Sequence, residues 1–286
     1  MKKITKQIKR RLRSGENLVN AIYTISSKRL KRKINPPKNG QYDEVYFKNL
    51  KKRIYPKGYK KRSKPRPTLM QLLRRRLAEK TFKQKNVGLI VVKPEIMPFT
   101  SDVRKFLRKI GCNIVLSKVH IFTPTQLESI YFTEMRKWQD FPINAGILTS
   151  APSRILIFKH APRERYIELL KKTNHIKYEQ KKANLQTMPI QELFHLAVKG
   201  VMDEGRPETL RGEVTHKRLP ELGFDKMVGI SKKLDPTGYL EYRVKQGKSV
   251  YNILTGIHAP ETQQELIEHG ATLLNRNELT TILKHT

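Results

Sequence analysis

Only one cysteine, Cys112, stands in a chain of 286 residues, which excludes an internal disulfide and any zinc or iron–sulfur site built on several thiolates. Apolar runs are short and none approaches the roughly eighteen residues of a membrane-crossing helix, so a spanning role is excluded. Acidic residues are scarce as well: 25 Asp and Glu face 59 Lys and Arg, a formal charge of +34. That excess calls for a polyanionic partner. The hydrophobic share of 37% is low for a compact domain but fits a domain carrying a solvated or RNA-wrapped extension. His120, His160, His175, His195, His216, His269 and His285 show no metal-ligand spacing, so no metal site is expected.

The charge is uneven. Residues 1–86 hold 29 Lys and Arg against four acids (Glu16, Asp43, Glu44 and Glu79), a net +25, while residues 87–286 carry +9. A boundary near Asn86 follows, with a basic extension at 1–86 expected to be too charged to bury its own backbone. Its densest runs contain Arg29, Lys31, Arg32 and Lys33, then Lys60, Lys61, Arg62, Lys64 and Arg66, then Arg74, Arg75 and Arg76. Tyr42, Tyr46, Phe47, Tyr55 and Tyr59 are interleaved with them. Cations alternating with rings suit phosphate neutralisation combined with stacking on exposed bases, the pattern of an RNA-binding arm; a free basic tail is the plainer alternative.

Before Glu16 there is no acid, and Ile4, Ile8 and Leu12, then Leu18, Val19 and Ile22, recur at near-helical spacing. An amphipathic basic helix is expected there, serving as a mitochondrial targeting segment, as a helix in an RNA groove, or both. An intact Met1 favours an uncleaved signal or synthesis in the compartment of use.

From Val87 the texture changes. Residues 87–92 form an apolar run stopped by Lys93-Pro94, consistent with a buried strand. Val103, Phe106, Leu107 and Ile110 line one face of a helix opening at Thr100 or Ser101 and closed by Gly111. The pattern then predicts a strand at 113–122, a helix at 124–131, a strand at 154–159, a helix at 162–172, a strand at 249–258 and a helix from about Pro260. The expected fold is α+β, a ferredoxin-like βαββαβ domain over 87–286 with an extended basic N-terminal arm.

Val91-Val92-Lys93-Pro94-Glu95, Tyr131, Thr149-Ser150-Ala151-Pro152, Leu210-Arg211-Gly212-Glu213 and Gly256-Ile257-His258 occur in the order found in nucleoside diphosphate kinases. The chain resembles that family over about 86–274. The resemblance implies a histidine, here His258, that takes the γ-phosphate of one nucleotide and passes it to another through phosphohistidine. It also implies nucleotide binding by Lys93, Tyr131, Thr173 and Arg211: Lys93 and Arg211 on phosphate oxygens, Tyr131 orienting the phosphoryl group, Thr173 touching phosphate. Magnesium would arrive only with nucleotide. Trp138 and Phe141 lie about where the family stacks the base, yet aromatic residues after a helix are more often core.

Several positions depart from the family pattern. Ile167 replaces a second phosphate-binding arginine, Thr255 replaces an asparagine, Ala259-Pro260-Glu261-Thr262 replaces a Gly-Ser-Asp-Ser run, and His269 stands where a glutamate fixes the histidine tautomer, with Glu268 adjacent. Two insertions, at about 176–207 and 216–248, fall near the nucleotide cleft; the first is expected to hold a helix at 189–202 with Leu193, Leu196, Ala197 and Val201 in a stripe, the second to be loop-rich. These departures point away from turnover. Two functions are expected to compete. One is a structural, rRNA-binding protein of a mitochondrial ribosome built on an inactive kinase-like domain, in contact with neighbouring ribosomal proteins and not a homo-hexamer. The other is an active nucleoside diphosphate kinase tethered to RNA or a membrane by its basic arm.

Overall fold

The computed structural model describes residues 41–54, 68–131, 138–139, 141–199, 208–218, 238–248, 250 and 253–285, with a few isolated positions before 41. Its architecture is α+β: one four-stranded antiparallel sheet covered by helices. Strands β1 (Val87–Val92), β2 (Asn113–His120), β3 (Ser153–Lys159) and β4 (Ile257–His258) lie in the order β2-β3-β1-β4. β1 pairs with β3 from Val87↔Lys159 to Val92↔Arg154 and with β4 through Val91↔His258 and Val92↔Ile257. β2 pairs with β3 across a bulge between Ile114 and Leu116. All six residues of β1 are buried; because successive side chains point to opposite faces, both faces at the sheet centre are covered. β2, at one edge, is only half-buried. No helix among the described residues is long and apolar enough to cross a membrane.

Two described parts of the segment expected as an extension, 1–86, are built into the folded domain. Helix α1 (Glu44–Ile54) and helix α2 (Leu69–Gln84) both contribute to the one hydrophobic core, α1 through Phe47, Leu50 and Ile54, α2 through Ala78 and Phe82. Phe47, Leu50 and Ile54 recur at intervals of three and four, enough for one buried face while the lysines occupy the other. Thr68 and Gln71 form a capping box that starts α2, and Asn86, with φ of 49°, turns the chain straight into β1. Phe47 is buried, and the half-buried Tyr42 and Tyr46 pack among other rings: Tyr42 lies 5.3 Å from Tyr46, 5.1 Å from Tyr239 and 5.0 Å from Tyr242, and Phe47 5.0 Å from Tyr239. Composition marks a boundary at Asn86; packing does not.

Helices α3 (Thr100–Lys109), α4 (Pro124–Ile130) and α6 (Arg163–Thr173) stand where the sequence predicts them. Helix α5 (Phe141–Ser150) was not expected and is buried at every position. After α6 come α7 (His175–Lys181) and α8 (Ile190–Phe194), which runs into a π-helical turn at His195–Lys199 instead of continuing to 202; Leu193 and Ala197 are buried, Leu196 is half-buried and Val201 lies outside the described residues. A second π-helical turn spans Gly212–Lys217 and α9 covers Tyr239–Lys245, so the described part of the second insertion is helical. Among the described residues of the predicted strand at 249–258, only Ile257 and His258 are strand, and Gly256, with φ of 64°, breaks the extended run just before them. The following helix, α10 (Gln263–Leu273), starts later than expected, with Thr262 as its N-cap, and α11 (Arg276–His285) closes the fold. α10 and α11 pack against α2, and α10 also against α4. At Gly270 a Cβ would meet Phe82 Cε2 at 2.1 Å, so glycine is what lets α10 and α2 touch.

Candidate functional site

β1 ends by delivering Lys93 and Glu95 to the turn that precedes β4. Lys93 N donates to Gly256 O at 2.8 Å, and its buried Nζ donates to Thr255 Oγ1 at 2.6 Å. Glu95, also buried, accepts from Gly256 N at 2.9 Å; burial pushes its carboxyl upward against the pull of Lys93. Arg211, at the opening of the Gly212–Lys217 turn, donates from Nε to Thr255 O at 3.1 Å and from Nη2 to Ile257 O at 2.9 Å. Gly256 is hemmed in by the same element, since a Cβ there would lie 2.1 Å from Thr215 Oγ1. Three buried charged side chains and one threonine thus fix the backbone at 255–257.

His258 follows at once, partly buried at the end of β4. Its ring centroid lies 4.7 Å from that of Tyr131, and Tyr131 in turn receives Lys93 Nζ at 5.4 Å from its ring centre. Behind it, His258 Nε2 stands 3.4 Å from Nδ1 of buried His269 on α10. Burial, then His269, Lys199, Lys93 and His195, hold the His258 imidazole well below its ordinary pKa, so it is neutral at pH 7. The structure therefore gathers His258, Lys93, Tyr131 and Arg211. Thr173 is buried at the end of α6. Phe141 belongs to the core, 5.5 Å from the Tyr131 ring, and Trp138 packs against that core.

Searches against family models and against curated proteins find no match to this chain.

Sequence reasoning missed a second group of residues beside the first. Lys199 Nζ lies 2.6 Å from His195 Nε2, and the same nitrogen is 3.4 Å from Glu261 Oε1, three residues after His258. Gln191 Nε2 donates to Pro260 O at 2.8 Å, tying α8 to the segment that leaves β4. Burial brings the His195 pKa down to about 3 and that of Lys199 down to about 7, with Arg211 adding repulsion to both. Their spacing of four residues on a helical segment was the available signal; placing them within an insertion read as a plain apolar stripe concealed it. Among the described residues, no group of three or more His, Cys, Asp or Glu is arranged to hold a metal.

Of the expected RNA-binding residues, Arg74, Arg75 and Arg76 lie on the outer part of α2: Arg75 and Arg76 are exposed, and Arg75 pairs loosely with Glu268 at 3.7 Å. Arg29, Lys31, Arg32, Lys33, Lys60, Lys61, Arg62, Lys64 and Arg66 fall outside the described residues, as does most of the amphipathic stretch before residue 30.

Proposed function

We propose that this chain is a structural, rRNA-binding constituent of a mitochondrial ribosome, built on a nucleoside diphosphate kinase-like domain that no longer turns over nucleotides. The observation that carries the reading is how its cations are divided. The +25 of residues 1–86 includes Arg75 and Arg76 on the open side of α2, a form suited to RNA phosphates, whereas Lys93 and Arg211 donate to Thr255 and Ile257. The strand order β2-β3-β1-β4, with every neighbour antiparallel, is what a ferredoxin-like split βαβ topology requires and supports that finer description of the fold. Against catalysis, Ile167 adds no charge, and His258 faces His269 instead of a carboxylate that would orient it. Each missing donor costs on the order of ten- to a thousandfold in rate. Ribosomal RNA and neighbouring ribosomal proteins are the partners of this reading, and the segments at 176–207 and 216–248 keep the chain from forming a homo-hexamer.

Sedimentation tests it: tagged full-length chain should travel with ribosomal particles of mitochondria and be stripped steeply between low and moderate salt. A chain that stays at the top of the gradient at low salt removes the ribosomal reading. The tethered-kinase reading is kept by one observation, the neutral His258 imidazole beside Tyr131 and Lys93, as a phosphoryl acceptor needs. Incubation with magnesium and γ-labelled nucleotide decides it: stoichiometric acid-labile label, chased onto a second nucleoside diphosphate and absent in His258→Asn, establishes the kinase.

A further inference from the structure

The two halves of α2 meet different surroundings. Ala78, Thr81 and Phe82 bury the second half against the domain, with Leu77 half-buried beside them. The first half opens on Leu69, Met70, Leu72 and Leu73, which are 72%, 57%, 41% and 48% exposed. Single apolar residues on a surface are ordinary, but four within five positions are a patch. Elsewhere among the described residues, only Val45, Ile176 and Tyr242 are large apolar side chains left exposed.

Charge follows directly along the helix axis. Arg74, Arg75 and Arg76 form the next turn, and Lys80 and Lys83 come after them. Glu79, the one acid of α2, is taken by Lys83 at 2.7 Å, and Arg75 meets Glu268 of α10 only at 3.7 Å. At about 100° per residue, Leu69, Leu72, Leu73, Arg76 and Lys80 fall in one sector roughly 100° wide, opposite the buried Ala78, Thr81 and Phe82. Along that sector, apolar side chains give way to cations over about 16 Å of helix. An RNA surface of phosphate and sugar has no use for the leucines. A protein groove would have to change from apolar to acidic along its own length to match. An anionic bilayer presents that change everywhere, with acyl chains below and phosphate headgroups just above them.

We propose that the first half of α2 is a peripheral anchor for anionic lipid bilayers. Leu69, Met70, Leu72 and Leu73 enter the boundary between headgroups and acyl chains, while Arg75, Arg76 and Lys80 lie on lipid phosphates. The helix approaches obliquely, its first turn lowest. Residues 69–73 span about 6 Å along the axis, within the 5–10 Å to which interfacial helices sink. Nothing crosses the bilayer, and the contact weakens with salt. The anchor stands apart from the ribosomal reading: it shares Arg75 and Arg76 with it, but the leucines serve lipid alone.

Flotation of the full chain with vesicles tests the proposal, using phosphatidylcholine alone and phosphatidylcholine with roughly 30% phosphatidylglycerol, beside binding of a structured RNA hairpin. The anionic vesicles should bind at least tenfold more tightly. Leu69→Ser together with Leu73→Ser should weaken that binding at least tenfold and leave RNA affinity unchanged. In Leu73→Trp, emission should shift to the blue on anionic vesicles and be quenched by lipids brominated in the acyl chain, beyond any change that Trp138 shows in the wild type. No binding to anionic vesicles, equal binding to both kinds, or no quenching of Leu73→Trp overturns the proposal. So does a serine pair that floats like the wild type, since charge alone would then adsorb the chain. A serine pair that loses RNA in the same proportion assigns the patch to an RNA-bound contact, and a dimer that the serine pair abolishes assigns it to a second copy; either removes the lipid. Should the serine pair fail to fold, Leu73→Trp and the two kinds of vesicle still decide.

Discussion

The molecule carries two populations of positive charge, and they behave in opposite ways. Around His258, Lys93, Lys199 and Arg211 are buried and held by short hydrogen bonds, and burial lowers the Lys199 pKa to about 7. On the outer half of α2, Arg75 and Arg76 face solvent next to Leu69 and Met70, which are 72% and 57% exposed. Buried cations cost stability and gain selectivity for a ligand that can neutralise them; exposed ones are screened, cost almost nothing and act additively on a polyanion. Net charge alone blurs the two.

The sharpest way to break the comparison is to ask whether α2 belongs to the domain at all. Phe82→Ala removes a ring packed against Gly270 and should cost about 3–5 kcal/mol in urea unfolding of the full chain. An unchanged midpoint would return α2 to the status of an attached arm. Acid probes the buried side next. His160 and His195, each with a pKa lowered to about 3, and His258, lowered well below its usual value, are neutral when folded and take up protons on unfolding. Folded pKa values below the unfolded 6.5 mean that this stability is present above pH 6.5 and is lost as pH falls toward 3. Each group contributes up to about 1.4 kcal/mol per pH unit. The melting temperature should fall accordingly from pH 6.5 to 4, and a flat profile would show these imidazoles to be wet.

Smaller, and opposite in sign, is Lys199→Met. The folded lysine titrates near 7 and the unfolded one near 10.4, so its penalty is fully present below pH 7 and fades as pH rises between those values. The variant should be more stable by about 1–3 kcal/mol at pH 6, with the gain shrinking by pH 9. Thermal melts of the two proteins across that range measure it; a constant or negative difference contradicts a desolvated lysine. Least visible in stability is the triple change of Arg74, Arg75 and Arg76 to Gln, within about 0.5 kcal/mol. Its effect should be on RNA: if all three touch phosphate, the log–log salt slope falls by about 2–3.

Periodicity made the central elements legible. β1 reads from its apolar run, α3 from Val103 and Leu107, and α4, β3 and α6 from segments opening at or near a proline. Composition hid α1 and α2, because lysines and arginines outnumber the few residues that dock; the buried positions were nevertheless at helical intervals. α5 escaped for the reverse reason: a helix apolar on every side has no stripe to detect. Within the site, Lys93, Tyr131, Arg211 and His258 were singled out through the family resemblance of their short segments, whereas for Lys199 and His195 the four-residue spacing was the one local signal and their burial depends on long-range packing.

The docking of α2 also sets the order in which the molecule can be made. Phe82 waits for Gly270, and Thr81 Oγ1 reaches Leu279 O at 3.5 Å across 198 residues of chain. During synthesis α2 emerges long before α10 and α11 exist. At about 5–20 residues per second, its apolar face stays open for roughly ten to forty seconds. For that interval the nascent chain is both sticky and strongly basic, and a nearby polyanion would shield the segment until its partners arrive.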